Sequence, residues 1–488
     1  MHFRQLLLSA LIAAALSPAA PAAPAKTAAP PSRPNILFIM VDDLGPEWIS
    51  CYGGQEMKTP HVDRLAAGGM RFTNTYSMPQ CTPTRATLLT GQYPFRHGWC
   101  NHWDVPRWGA GCHFDWKHNV SFARVMKQAG YVTAAAGKWQ INDFRVQPDA
   151  MKRHGFDHWC MWTGYETGNP PSGKRYWDPY IYSSTTPSKT YAGKFGPDIF
   201  TDFLIDFMER NRDRPMMLYY PMVLTHGPLV HTPLNPKART GKEKHRAMVR
   251  STDELVGRLV AALERLKLRE RTIVIFTTDN GTSRGISGRM SGRLVRGGKA
   301  RLTENGPRQP FIVSGPGIVP AGVVTDALTD FTDLLPTFAE LGGAKLPEGV
   351  TLDGKSIAPV ILGRDQQGPR EWICAMGFGP ALLDSRGVRP RQKFTDRVIR
   401  DKRYKIFVID GRVTRLHDLQ KDPGETNNLI DSRSPSHQAA KARLTAALAT
   451  MPAADARPRY DPTPPQPWDK KPKSGGQTTN AHQGSSRK

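Results

Sequence analysis

Asn35-Ile36-Leu37-Phe38-Ile39-Met40-Val41-Asp42-Asp43-Leu44-Gly45 is a nearly unbroken apolar run that stops abruptly at two carboxylates and a turn. Such a run suits a strand buried on both faces, where no polar alternation is needed. The same grammar recurs three times. Gly130 to Ala136 leads into Gly137-Lys138-Trp139, Met216 to Tyr220 into Thr225-His226-Gly227-Pro228, and Thr272 to Phe276 into Thr278-Asp279-Asn280-Gly281. Helical patterns lie between these runs: Ser121 to Ala129 ends at Gly130, and Asp253 to Arg269 carries Leu255, Leu259, Leu263 and Leu266 on one face. Strands alternating with helices predict an α/β fold, a large and mostly parallel sheet sandwiched by helices. Ligands of such sheets bind beyond the carboxyl ends of the strands. All four polar clusters fall there, so they are expected to meet in one site.

The chain has 488 residues, enough for one large domain and a smaller one. Met1 to Arg4 is charged, Leu6 to Leu16 is apolar, and Ala20, Ala22, Ala23 and Ala25 supply small residues for cleavage. This reads as a signal peptide over 1–25 followed by a linker over 26–33. The apolar run is too short for an ordinary membrane span, so no transmembrane anchor is expected after cleavage. The mature protein is expected to be periplasmic or secreted. A catalytic domain is assigned to 34–365, with Phe331 to Leu341 as a further helix. Gly354, Gly363 and Gly368 mark a change of composition at its end. A C-terminal α+β subdomain over 366–460 is expected to hold a short antiparallel sheet, from Glu371 to Gly377, Phe394 to Arg400 and Tyr404 to Ile409, and a helix over Lys441 to Leu448. Residues 461–488, rich in Pro, Lys, Gly, Ser and Gln, read as a disordered basic tail.

The formal net charge is +24. In an exported protein this suggests an anionic partner such as a sulfated or carboxylated polymer. No helix-turn-helix, zinc-finger or RNA-binding motif is found, so nucleic acid is not the expected partner. The six cysteines are Cys51, Cys81, Cys100, Cys112, Cys160 and Cys374. Cys100 and Cys112 are spaced to close a short loop, but spacing alone fixes no pairing. Neither Cys-x-x-Cys nor His-Glu-x-x-His occurs, which argues against a zinc site.

Chemistry is best placed in Pro79-Gln80-Cys81-Thr82-Pro83-Thr84-Arg85-Ala86-Thr87-Leu88-Leu89-Thr90-Gly91. Pro83 suits the first turn of a helix, Arg85 to Thr90 has no breaker, and Gly91 can end it. Cys81 would then sit at a helix N-terminus, where free N–H groups favour an ionised or polar nucleophile. At the strand ends, Asp42, Asp43, Asp279 and Asn280 offer hard oxygen donors suited to Ca²⁺, with Mg²⁺ as the alternative.

Cys81-x-Pro83-x-Arg85 followed by Leu89-Thr90-Gly91 resembles the signature of the type I, formylglycine-dependent sulfatases. Their blocks recur in order from about Pro34 to about Leu429. The resemblance implies an alkaline-phosphatase-like fold and an arylsulfatase-like sulfuric ester hydrolase. It implies that a formylglycine-generating or sulfatase-maturating enzyme converts Cys81 to an aldehyde. One hydroxyl of the hydrated aldehyde attacks sulfur and displaces the alcohol, and the second expels sulfate, an exit that a plain serine lacks. The positions matching Asp42, Asp43, Asp279 and Asn280 bind a divalent cation, usually calcium, which also contacts the residue at Cys81. Asp279 would help deprotonate the nucleophile and Arg85 would hold it in place.

Lys138 and Lys299 resemble the two sulfate-binding lysines of the family. His226 matches the histidine that assists the leaving oxygen, with His231 as the rival. Two residues after Lys138 the family usually has histidine, whereas this chain has Gln140, which recognises an anion only by hydrogen bonding. Gln80 and the Glu304-Asn305-Gly306 triplet are milder departures. Arg284, Arg289, Arg293 and Arg296 read either as a mobile basic loop over a polyanionic substrate or as a solvated surface loop. The block from Leu416-His417-Asp418-Leu419 to Asn428-Leu429 is similar to the family's C-terminal block and suggests that the second domain packs on the first. The expected substrate is a sulfated polysaccharide or oligosaccharide. The rivals are a phosphatase or phosphonate hydrolase on the same scaffold and a catalytically silent binder of sulfated glycan. A nucleic-acid binder is a third, and it would show salt-sensitive binding unaffected by Cys81→Ala.

Overall fold

The computed structural model describes residues 33–101, 113–162, 174–377, 381–384, 387–390 and 392–464. The expected signal peptide, nearly all of the expected basic tail, and Cys112 lie outside them. Among the described residues no helix is long and apolar enough to cross a membrane.

The strand Asn35–Val41 is the middle of an eleven-stranded sheet. Thr272–Thr278 pairs with it on one side and Met216–Pro221 on the other, followed by Val132–Lys138 and His158–Trp162, all parallel. Each strand end meets the next: Val41 is level with Thr278, and Met40 with Pro221. The polar clusters therefore emerge along one edge.

The central strand serves two cores. Ile36, Phe38 and Met40 face a layer containing the helices Cys81–Thr90, Phe122–Gln128 and Leu334–Gly342. Leu37, Ile39 and Val41 face the helices Pro60–Ala67, Gly196–Arg210 and Gly241–Arg265. With both faces covered, alternation along the strand has nothing to distinguish, which is why the sequence reads as a continuous apolar run.

The sheet is more mixed than the sequence implies. Arg308–Ser314 runs antiparallel to both Thr272–Thr278 and Met70–Tyr76, and Tyr180–Ser183 is antiparallel to His158–Trp162. The strand Met70–Tyr76, Met-Arg-Phe-Thr-Asn-Thr-Tyr, lies toward the edge and carries too many polar residues to announce itself by hydrophobicity. The helix expected to begin at Asp253 begins twelve residues earlier. There the Thr240 hydroxyl accepts from the Glu243 N–H and the Glu243 carboxylate caps the Thr240 N–H, and the helix ends at Arg265. The helix expected from Phe331 opens as a 3₁₀ turn, Phe331–Asp333, and continues as Leu334–Gly342.

Downstream, Ile373–Met376, Arg397–Arg400, Tyr404–Ile409 and Arg412–Asp418 form a four-stranded antiparallel sheet covered by the helix Pro435–Ala449. Its apolar face shares a core with Met78, Tyr93 and Phe95, which flank the Cys81 helix. Buried Lys405 ties the two parts together through Glu304 at 3.0 Å and Glu425 at 2.8 Å. The Glu425 carboxylate also accepts from the Glu304 N–H at 2.6 Å. The second sheet thus braces the segment that follows Lys299.

The stretch from Arg284 to Arg296 is not an irregular loop. Ser287–Met290 and Arg293–Arg296 pair as an antiparallel hairpin.

Candidate active site

The helix Cys81–Thr90 begins at Cys81 and ends at Gly91, whose φ of 66° is the left-handed conformation that terminates helices. Thr84 fixes its first turn by donating to the carbonyls of Met78 and Asp279, both at 2.9 Å. Cys81 is fully buried at this N-terminus, and no disulfide joins the five described cysteines.

Arg85, one turn on, is also fully buried. It donates to the Lys138 carbonyl at 2.9 Å and to Asp279 Oδ2 at 3.1 Å. It therefore ties the Cys81 helix to two strand ends that are far apart in sequence. Asp43 sits in a tight turn with φ of 64°. Its N–H donates to Asp279 Oδ1 at 3.1 Å, and its carboxylate accepts from Asn280 Nδ2 and Ser283 Oγ, both at 2.8 Å. Lys138 Nζ lies 2.6 Å from Asp42 Oδ2, and Lys299 Nζ lies 2.7 Å from the Asp43 carboxylate. Gly297 and Gly298 deliver Lys299, because a Cβ on either would meet the Ser283 or Asn305 backbone at 2.0 or 2.2 Å.

Oxygen atoms of Asp42, Asp43 and Asp279 lie within 4.8 Å of one another, as do Asp42, Cys81 and His226 atoms. Asp42 Oδ1 and Asn280 Oδ1 are buried and accept no hydrogen bond. Burying an acceptor without a partner is unfavourable, so these two atoms are suited to a further ligand. Three carboxylates and an amide oxygen, with one carboxylate oxygen and the amide oxygen lacking any partner, fit a hard divalent cation.

Electrostatics separate the carboxyls. Burial alone would raise the Asp42 carboxyl, but Lys138, His226, Arg85 and Lys299 outweigh it and hold the group well below the usual range. Asp43 sits at about 2, with burial opposed mainly by Lys299 and His226. Asp279 is pushed well above the usual range by burial and by Asp42, with Arg85 opposing. One site thus contains two carboxylates held firmly ionised and a third, Asp279, that is the most basic of the three.

His226 is the histidine brought into the cluster, with Nε2 3.8 Å from Asp43 Oδ2. His231 instead packs its ring against Trp177, at 5.3 Å between centroids. Burial lowers His226 to about 3, with Lys299 and Arg175 adding to the effect and Asp43 and Asp42 opposing it. The ring is neutral near pH 7. Its Nδ1 lies 2.7 Å from the Gly227 carbonyl, which can only accept, so Nδ1 carries the proton and Nε2 presents a lone pair. The sequence-based expectation of an acid titrating near neutrality is refined accordingly. Gln140 lies two residues beyond Lys138 in a left-handed turn, φ 76°.

Sequence reasoning missed three contributors. Arg175 stacks over Trp162 at 4.3 Å and approaches Asp42 Oδ2 to 3.8 Å. Tyr176 donates to the Val223 carbonyl at 2.8 Å and also contacts the His226 carbonyl, which fixes the His226 turn. Ser283 holds Asp43. None belongs to a periodic pattern or a strand-end cluster; only the segment after Asp279, already rich in polar residues, gave a hint for Ser283.

Comparison with known proteins identifies the family of the chain. The model of the family described as Sulfatase matches residues 34–344, and that described as N-sulphoglucosamine sulphohydrolase, C-terminal, matches 298–453. Human arylsulfatase A is 33% identical over 448 residues, covering 81% of this chain and 83% of that protein. The ulvan-active sulfatase of Formosa agariphila is 28% identical over 430 residues, covering 82% and 78%. Among solved structures, Ps i-CgsB in complex with k-i-k-neocarrahexaose matches with a TM-score of 0.72 and 24% identity, covering 88% of this chain and 94% of that one.

Proposed function

The chain belongs to the sulfatase family and is a sulfuric ester hydrolase, and from that premise we propose that it removes sulfate from a sulfated polysaccharide or oligosaccharide in an exported compartment. Cys81, matured to formylglycine, is the nucleophile in this reading. Asp42, Asp43, Asp279, Asn280 and the residue at Cys81 hold the cation, calcium or alternatively magnesium, which supplies positive charge to polarise the ester. The carrying observation is the convergence of Cys81, Arg85, Lys138, His226 and Lys299 on one carboxylate cluster.

The overall reaction adds water across the S–O bond, releasing an alcohol and sulfate. Arg85 orients the first turn of the Cys81 helix and Asp279 together. Asp279, the most basic of the three carboxylates, takes a proton from the attacking hydroxyl of the hydrated aldehyde. Lys138 and Lys299 each have three donors. Donors not engaged by Asp42 and Asp43 are available to sulfate oxygens, and the paired positive charges favour a substrate with concentrated negative charge. His226 Nε2, whose lone pair is free in the resting ring, takes a proton from water and passes it to the leaving oxygen, while the proton collected by Asp279 returns to water. A phosphate ester would present the same tetrahedral anion, but formylglycine chemistry favours sulfate. The binding of oligosaccharides by the fold's neighbours and the +24 charge support a glycan over a small aryl ester.

The test is mass spectrometry of the peptide containing Cys81, from protein made with a maturation enzyme, beside release of sulfate from 4-nitrophenyl sulfate and sulfated glycans. An aldehyde or its hydrate with sulfate release is expected. An intact thiol in maturation-competent material would remove this mechanism.

A further inference from the structure

The segment from Gly281 to Arg301 contains Arg284, Arg289, Arg293, Arg296, Lys299 and Arg301 and no acidic residue. It starts one residue after Asn280 and passes through Lys299, so both its ends are anchored in the reaction centre. Between them stands the hairpin Ser287–Met290/Arg293–Arg296.

The hairpin is docked on the body of the protein. The Gln55 N–H donates to the Arg289 carbonyl at 2.9 Å, the Ser291 N–H to Gly53 at 3.0 Å, and the Gly292 N–H to Gln55 Oε1 at 2.9 Å. At its base the Gly297 N–H donates to Ile286 at 2.8 Å, and Asn305 Nδ2 donates to the Arg296 carbonyl at 2.6 Å.

Register assigns its faces. Arg289 is opposite Leu294, and Ser287 is opposite Arg296. Residues two apart on a strand share a face, so Ser287, Arg289, Leu294 and Arg296 lie together. The other face includes Gly288, which is buried against Glu47 and Trp48. The outward face therefore presents two arginines beside a leucine that is 59% exposed. Among the described residues no ion pair engages Arg284, Arg289, Arg293 or Arg296, and Arg293 and Arg296 donate no side-chain hydrogen bond. The nearby Glu56 carboxylate is already committed to Lys242 at 2.9 Å and Arg246 at 2.7 Å.

We propose that this hairpin is a second anion-binding subsite, holding a sulfate or carboxylate on the sugar residue next to the one being desulfated. Arg289 Nη1 reaches the Gly292 carbonyl at 3.5 Å, and guanidinium forks free of ion pairs match planar carboxylate and tetrahedral sulfate oxygens, while the exposed leucine offers an apolar surface to a sugar ring. The docked backbone keeps these groups in place before substrate arrives, which lowers the ordering cost of binding. The inference rests on the sulfatase reading and deepens it: the preferred substrate carries at least two anionic groups on neighbouring residues.

The test uses the full chain and the double variant Arg289→Ala/Arg296→Ala. Binding is measured on the unmatured thiol form by calorimetry, with size-defined oligosaccharides from heparin, carrageenan and ulvan and with a DNA duplex of matched charge. The parent is expected to bind at least one oligosaccharide, and the double variant to bind it about tenfold more weakly with a shallower salt dependence. On the matured enzymes, KM for that oligosaccharide is expected to rise about tenfold more than KM for 4-nitrophenyl sulfate. Unchanged affinity in a variant with parental melting behaviour overturns the proposal. So does a parent that binds none of the oligosaccharides, or one that binds the duplex as tightly as its best glycan. Failure of the matured parent to hydrolyse 4-nitrophenyl sulfate would instead count against the catalytic reading, because the binding arm needs no turnover.

Discussion

Arg85 and Asp279 form an ion pair sealed from solvent, with Nη2 3.1 Å from Oδ2 and side chains 1% and 0% exposed. This pair fastens the helix that presents Cys81 to the strand end that presents the carboxylates. Removing one member of a buried pair strands the other charge, which is far more costly than never having built the pair.

Arg85→Ala is therefore expected to destabilise the fold by about 3–5 kcal/mol, besides suppressing turnover. Arg85→Ala/Asp279→Asn should recover part of that loss, because the stranded carboxylate is gone. Urea denaturation of the single and double variants measures both. A loss below about 1 kcal/mol in the single variant would contradict the sealed-pair account.

Cys81→Ala should abolish sulfate release while leaving the fold intact. The thiol is small, and the helix start is secured independently by Thr84. Cys81→Ser should be equally inactive, because a serine sulfate ester has no second hydroxyl to expel its sulfate. Sulfate release at the parental rate from correctly produced Cys81→Ala protein would sink the mechanism.

Asp43→Asn or Asp279→Asn should weaken cation retention. Each removes one negative oxygen donor from a cluster whose Asp42 Oδ1 and Asn280 Oδ1 have no protein partner. Metal content after dialysis against a chelator, read by elemental analysis, is the check. Unchanged metal content and activity in both variants would refute the assignment.

Glu47 makes stability depend on pH. Burial pushes its carboxyl from 4.5 to about 7, although the Thr282 hydroxyl donates to it at 2.5 Å. Between those two values the unfolded chain releases a proton that the folded chain keeps. Stability from this group is therefore greatest below pH 4.5, falls as pH rises toward 7, and is flat above. Glu47→Gln removes the titration. It is expected to stabilise by up to about 3 kcal/mol above neutrality and by little in acid. Urea midpoints near pH 4 and pH 8 test this, and an equal shift at both would exclude the proton-linked cause.

Much of the site is legible before folding is considered. Asp42, Asp43, Lys138, His226, Asp279 and Asn280 follow apolar runs buried on both faces, and such runs stand out against any background. Cys81, Pro83, Arg85 and Gly91 mark a helix by where Pro and Gly stand, a local rule that survived intact. The choice of His226 over His231 also followed from nearness to a strand end. Met70–Tyr76 escaped notice because a polar strand near a sheet edge has no local signature. The basic hairpin was read as a loop because its pairing depends on docking against Gly53, Gln55 and Trp48, far away in the chain.

By itself the sequence determined the α/β plan, the helix that starts at Cys81 and the inventory of charged groups, because strand burial and helix punctuation are written in consecutive residues. Only the tertiary structure decided how those groups act on one another. It set Arg85 on Asp279, left two acceptors without partners, seated His226 beside Asp43, brought Arg175 to Asp42 and placed Arg289 and Arg296 on one hairpin face. Charge–charge energies depend on separation and on the water excluded between groups. Neither quantity exists until the chain has folded.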